Sequence, residues 1–139
     1  MKKFIAGIIF FALYGTAWAE VKFQCPSPGS IKQYTIPKSV NCAYGAVSDG
    51  VNFGGFNNCG LLDLPFVGGI ISEVNGYWSL GCGYGNGLSS NVLAVGPDAV
   101  IAHCAFANGT RQCKGSLSDC TITCPQTPSI AGNAGTKTE

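Results

Sequence analysis

Short runs of alternating apolar and polar residues make up most of this chain, and turn-forming dipeptides interrupt them at intervals of roughly ten residues. Residues 70–84 show the pattern best. Asn75-Gly76 is the strongest short hairpin signal, because both central positions of the favoured two-residue turn need positive φ. Val74 then faces Tyr77, Glu73 faces Trp78, Ser72 faces Ser79, and Ile71 faces Leu80. One face of the hairpin carries Ile71, Trp78, Leu80, Cys82 and Tyr84. The other carries Ser72 and Ser79 between Val74 and Tyr77. The first is the better core face.

Other segments are shorter. Residues 21–24 and 33–36 read as strands, the second stopped by Pro37, and residues 40–47 are apolar and β-prone. Residues 49–60 read as a glycine- and asparagine-rich loop carrying Phe53 and Phe56. Residues 61–67 are apolar, but Pro65 keeps them out of a central strand. Apolar runs at 91–95 and 99–107 flank the turn Gly96-Pro97-Asp98. Residues 110–114 return from a second hairpin at Asn108-Gly109, and 118–124 end in a last short strand. Beyond the N-terminal segment no helical periodicity exceeds a turn or two. The expected fold is all-β: a small disulfide-stapled antiparallel β-sandwich or barrel of short strands and hairpins over residues 20–124. Residues 125–139, rich in Thr, Gly, Pro and Ala, read as a flexible C-terminal tail.

The N-terminus changes the picture. Lys2 and Lys3 precede an apolar run at 4–13, and Thr16-Ala17-Trp18-Ala19 offers a small-residue cleavage site before Glu20. This predicts a signal peptide at residues 1–19, of bacterial style, and a secreted or periplasmic product. The apolar stretch is shorter than the about 20 residues of a spanning helix. No later stretch approaches that length, so no membrane span is expected after cleavage. Glu20 at the first mature position, in place of a cysteine, argues against a lipoprotein. The mature chain would carry six basic and seven acidic residues, a balance that attracts neither nucleic acid nor anionic lipid.

All eight cysteines lie beyond the predicted cleavage point: Cys25, Cys42, Cys59, Cys82, Cys104, Cys113, Cys120 and Cys124. An even count in a small exported domain reads as a disulfide framework. A metal site would need paired C-x-x-C spacings and suitable partners. The closest pair, Cys120 and Cys124, is spaced C-x-x-x-C, and His103 is the only histidine. No metal or cofactor is expected. Eight cysteines allow 105 pairings. A two-residue turn at Asn108-Gly109 would place Cys104 opposite Cys113 in a close cross-strand pair, which predicts a Cys104–Cys113 bridge. Nearness in sequence suggests Cys42–Cys59. Cys25, Cys82, Cys120 and Cys124 are left unassigned.

Candidate chemistry is sparse. His103 would have to serve any triad, and Cys104 beside it is expected to be oxidised; no G-x-S-x-G elbow is present. If Cys104 points inward, His103 points outward. The acids Asp49, Asp63, Glu73, Asp98 and Asp119 could supply a carboxylate pair only if the fold made two of them face one another. Gly81, Gly83, Gly85 and Gly87 alternate at strand period and leave one face bare, for close packing or for a ligand. Phe53, Phe56, Tyr77 and Trp78 sit in or beside amide-rich turns, where aromatic faces suit sugar or protein binding as well as core packing. Asn108-Gly109-Thr110 matches a glycosylation acceptor, but the hairpin already accounts for Asn-Gly.

The order Cys25, Cys42, Cys59, Trp78, Cys82 has a superficial likeness to a sushi module, but its gaps are wider and four further cysteines follow. The Cys25-Pro26 start, the mid-chain Cys82-Gly83-Tyr84 strand and the later pair Cys113 and Cys120 resemble an uncharacterised family of small exported cysteine-rich bacterial proteins. That resemblance implies compartment and fold, and no activity. The expected function is a non-enzymatic binding protein of the envelope or extracellular space, with a protein or glycan partner. The alternatives are a small carbohydrate-binding module using Phe53, Phe56 and Trp78, and a secreted hydrolase using His103 with an acid. The oligomeric state is not specified by the sequence.

Overall fold

A computed structural model describes residues 19–60, 62, 64–85 and 93–129. The expected signal peptide, apart from Ala19, lies outside the described residues, as do positions 130–139 of the expected tail. The described strands, in chain order, are β1 (Val21–Phe23), β2 (Lys32–Thr35), β3 (Asn41–Ser48), β4 (Val51–Asn58), β5 (Phe66–Val74), β6 (Tyr77–Tyr84), β7 (Leu93–Val95), β8 (Ala105–Phe106), β9 (Gln112–Lys114) and β10 (Ile122–Cys124). They form a seven-stranded sheet ordered β2-β3-β4-β7-β6-β5-β9 and a three-stranded sheet ordered β1-β10-β8. All pairings are antiparallel. The all-β expectation holds: two sheets pack face to face as an open sandwich.

The inner face of the large sheet is set by the strand period of two. It presents Tyr44, Val51, Phe53, Ile71, Leu80, Cys82, Leu93 and Val95, all buried. The small sheet meets it with Phe23, Phe106 and Ile122. The Phe23 and Phe53 rings are 6.2 Å apart between centroids. Gly69 allows the closest approach, since a Cβ there would stand 2.8 Å from the Phe106 ring. Burial pushes the Tyr84 hydroxyl above its ordinary pKa. It therefore stays protonated and donates to the Pro26 carbonyl at 2.6 Å.

Turn chemistry explains which registers form. Asn75 and Gly76 both have positive φ, and the β5–β6 pairs Val74↔Tyr77, Glu73↔Trp78, Ser72↔Ser79 and Ile71↔Leu80 follow as expected. Asp49 and Gly50 also both have positive φ, so Ser48 pairs with Val51 and a full strand follows. Residues 51–58, expected as loop, are therefore β4. Glycine and asparagine disfavour strands on average, but pairing on both sides overrides that preference. Residues 66–67 of the apolar run 61–67 open β5, an internal strand. Pro65 stands just before it, where no ladder N–H is required, and its carbonyl accepts from Gly85 N at 2.9 Å. The run 99–107 divides into a 3₁₀ turn, Ala99–His103, and β8. Asp98 caps the turn by accepting from Val100 N at 3.0 Å.

The second Asn-Gly behaves differently. Gly109 has positive φ but Asn108 does not. Gly109 N donates to the Phe106 carbonyl at 2.7 Å, and Phe106 N to the Thr110 carbonyl at 3.0 Å. The loop is thus one residue longer than a two-residue turn, with glycine at its last position. Phe106 faces Thr110 where Arg111 was expected, and a one-residue slip reverses every side chain. The expected Cys104–Cys113 bridge does not form. Residues 112–114 leave β8 and pair with β5, while Cys104 meets Cys124 across β8 and β10 with Cα atoms 4.2 Å apart. The other bridges are Cys113–Cys120, Cys25–Cys82 and Cys42–Cys59, the last as expected. No cysteine is free.

Residues 125–129 do not behave as a free tail. Pro128 is buried, and Ser129 N donates to Asp98 Oδ2 at 2.7 Å.

Loop-closure entropy ranks the bridges. Cys25–Cys82 closes the longest loop, with a sequence separation of 57, and Cys113–Cys120 the shortest, with 7. Replacing Cys25 and Cys82 together by alanine is expected to cost about 4 kcal/mol, against about 2.5 kcal/mol for Cys113 with Cys120. Urea denaturation of the two double variants checks the order.

Candidate functional site

The inner face of the large sheet is spent on the core, so a site on this sheet would have to use its outer face. Register places Lys32, Gly45, Gly54, Ala94, Gly81, Ile70 and Gln112 in one row across the sheet, and Tyr34, Ala43 and Phe56 in a neighbouring row. Paired residues in antiparallel strands point to the same side, so both rows face outward. Gly68, Gly81 and Gly83 are buried there. Large apolar side chains stand exposed on either side of them: Tyr34, Val47 and Phe56 on β2–β4, and Val74 and Tyr77 at the β5–β6 hairpin.

This geometry separates the four aromatic candidates. Phe53 is 3% exposed and packs its ring on Phe23, so the ring serves the core, although the residue also lines the outer groove beside Gly45. Its position on an inward-facing site of β4, hidden while residues 49–60 read as loop, decides this. Trp78 is half-buried beneath Arg111, whose Cζ lies 4.5 Å from the ring centroid and whose Nη2 donates to the Ala102 carbonyl at 2.8 Å. That guanidinium covers one face of the ring, and Trp78 also lines a shallow cleft with Gly76, Tyr77, Pro97, Asp98 and Ala99. Phe56 and Tyr77 are open, 74% and 66% exposed, but they are far apart. Gly54 and Gly81 both lie level with Ala94, Phe56 is two residues past the first and Tyr77 four before the second. At about 3.3 Å per residue they are about 20 Å apart along the strands.

The neighbour Phe56 does have is Tyr34, 55% exposed on edge strand β2. Sequence reading missed it because face membership on a four-residue strand depends on its partner. The run Lys32-Gln33-Tyr34-Thr35 has no apolar–polar alternation that would mark a face. Tyr34 leans over Gly45, its Cε2 lying 3.8 Å from where a Cβ would stand. Around this bare spot Ser30, Lys32, Tyr34, Gly45, Ala46, Val47, Asn52 and Phe53 line a groove of about 450 Å³. From the other side of the strand, Tyr44 steadies the same region. Its hydroxyl lies 2.6 Å from the Asn58 carbonyl and 2.8 Å from Gln33 Oε1, which also accepts from Gly60 N at 2.7 Å.

His103 is exposed, as its outward position implied, beside a cleft lined by Ala99, Val100, Pro125 and Gln126. None of these four supplies a carboxylate or a nucleophilic hydroxyl. The aspartates hold local structure. Asp49 accepts from Gln24 N, Asp98 caps its 3₁₀ turn and holds Ser129, and Asp119 accepts from Ser116 Oγ at 2.8 Å. Asp63, Asn86 and Gly87 lie outside the described residues. In the glycine alternation, Gly81 and Gly83 face outward and Gly85, at φ 96°, closes the strand. An aromatic ring, Phe106, packs against bare backbone one strand away, at Gly69 on the inner face.

The two bare surfaces differ in what an added methyl would meet. At Gly45 and Gly54 the nearest atoms are 3.7 Å away, an ordinary contact. Gly45→Ala and Gly54→Ala are expected to change unfolding free energy by under about 1 kcal/mol, whereas Gly69→Ala, forced against Phe106, is expected to lose about 1–3 kcal/mol. Thermal or urea unfolding of the three variants checks the contrast.

No family model, no curated protein and no solved structure matches the chain.

Proposed function

We propose that this is a non-enzymatic binding domain that works outside the cytoplasm, in the periplasm or the extracellular medium, and that it engages its partner through the outer face of β2–β4. The observation that carries the reading is the gathering of exposed Tyr34, Val47 and Phe56 around the side-chain-free positions Gly45 and Gly54. Aromatic side chains on rigid strands present large contact area at little entropic cost. The compartment is supported by the full oxidation of eight cysteines, a state that persists in oxidising environments. It agrees with the N-terminal export pattern and with the resemblance to small exported cysteine-rich proteins.

A surface of this kind loses affinity when its aromatic anchors are removed. Immobilised oxidised protein is expected to capture a partner from envelope or host extract. The Tyr34→Ser/Phe56→Ser double variant should retain roughly one tenth of that capture, and Tyr77→Ser should match the wild type. Quantitative mass spectrometry of the eluates checks this. Capture that survives the double variant and falls with Tyr77→Ser would place the interface at the other end of the sheet.

A further inference from the structure

The groove at Gly45 carries chemistry more specific than an apolar patch. Among the described residues, the Lys32 ammonium, the Tyr34 hydroxyl and the Asn52 amide have no hydrogen-bond or ion-pair partner, and all three line the same groove. At Gly45 the floor is bare backbone, and Ala46 and Phe53 also line the groove. Lys32 is the only residue of the lining that is charged at neutral pH. The large sheet's outer face otherwise bears Lys114 at its far edge and no described carboxylate.

We propose that this groove is a binding site for an acidic oligosaccharide, one bearing a carboxylate on a pyranose ring. The proposal rests on the binding-domain reading above and names the ligand class of that face. Each group has a counterpart. An aromatic ring face is electronegative and receives the weakly positive C–H face of a sugar ring, and Tyr34 offers one over a glycine floor. A phenol and a carboxamide each both donate and accept, as sugar hydroxyls do. The ammonium complements a carboxylate, and no acidic group in the groove competes for it. Phe56 stands two strands from Tyr34, with only Ala43 between them. At about 4.8 Å per strand the two rings are roughly 10 Å apart at their backbones, room for more than a single sugar ring. The groove volume of about 450 Å³ lies within the range of small-molecule sites.

Calorimetric titration of the oxidised protein with trigalacturonate, and with maltotriose as the neutral counterpart, tests the proposal. Trigalacturonate is expected to bind, and maltotriose to bind at least roughly fivefold more weakly. Lys32→Gln should weaken trigalacturonate roughly fivefold at low salt and flatten its salt dependence. Tyr34→Ala should weaken it roughly five- to tenfold. Gly45→Ala, which meets only ordinary contacts in the fold, should weaken it by raising the floor, and this variant keeps the test decisive if Tyr34→Ala unfolds. Tyr77→Ala should bind as the wild type does. Absence of trigalacturonate binding, equal binding of maltotriose, or binding unmoved by both Tyr34→Ala and Gly45→Ala overturns the proposal. If it fails while partner capture still depends on Tyr34 and Phe56, the sugar assignment alone falls. If capture is also indifferent to those residues, the binding face falls with it.

Discussion

One joint holds the two sheets of this domain in register. Cys25, just past β1 in the small sheet, is bonded to Cys82 on β6 of the large one. The next residue, Pro26, accepts a hydrogen bond from Tyr84, two positions further along β6. The covalent and polar contacts sit side by side, and both are buried. The small sheet needs them. Its strands are two or three residues long, too short to hold together alone in water. Cys104–Cys124 ties two of those strands to each other, and Cys113–Cys120 ties the approach to β10 back to the large sheet. The buried side chains of the core are hydrophobic, so stability rests on apolar packing and cross-links, with charge contributing little.

This arrangement determines what the surface can do. The inner side of the large sheet is occupied by the small sheet, and the outer side keeps aromatic and small residues that the core does not use. On β2–β4 those residues are fixed by pairing on a strand already clamped by Cys42–Cys59 and by the Tyr44 hydroxyl. Such a surface is pre-organised, and a partner that meets it has little chain to order. At the hairpin end, by contrast, Trp78 is covered on one face by Arg111, and the neighbouring acid Asp98 is engaged with Val100 and Ser129.

Sequence reading reached the fold where turn chemistry was unambiguous. Asn75-Gly76 carried its hairpin with the correct register and core face. Asp49-Gly50 carried the same signal, but the glycine and asparagine content of residues 52–60 hid the strand behind it and sent Phe53 to the surface. Asn108-Gly109 contains the same residue types and yet puts only its glycine at positive φ. Locally, Asn108 Oδ1 accepts from Thr110 N at 3.0 Å and Thr110 Oγ1 at 2.7 Å, bonds that Asn75 does not make with Tyr77. Residues 112–114 also pair with β5, a contact distant in sequence. Half of the aromatic site was legible as Phe56. Tyr34 was not, because its face is inherited from β3 and β4 through pairing.

Cys25–Cys82 and Cys113–Cys120 join the two sheets and leave Tyr34, Val47 and Phe56 exposed on the outer face of β2–β4, a pairing that can be read out chemically. Proteolysis without reduction, followed by mass spectrometry of the linked peptides, addresses it directly. Linked peptides are expected that contain Cys25 with Cys82, Cys113 with Cys120, Cys104 with Cys124, and Cys42 with Cys59. A peptide joining Cys104 to Cys113 would contradict it, because it requires the two-residue turn at Asn108-Gly109 and takes β9 away from β5.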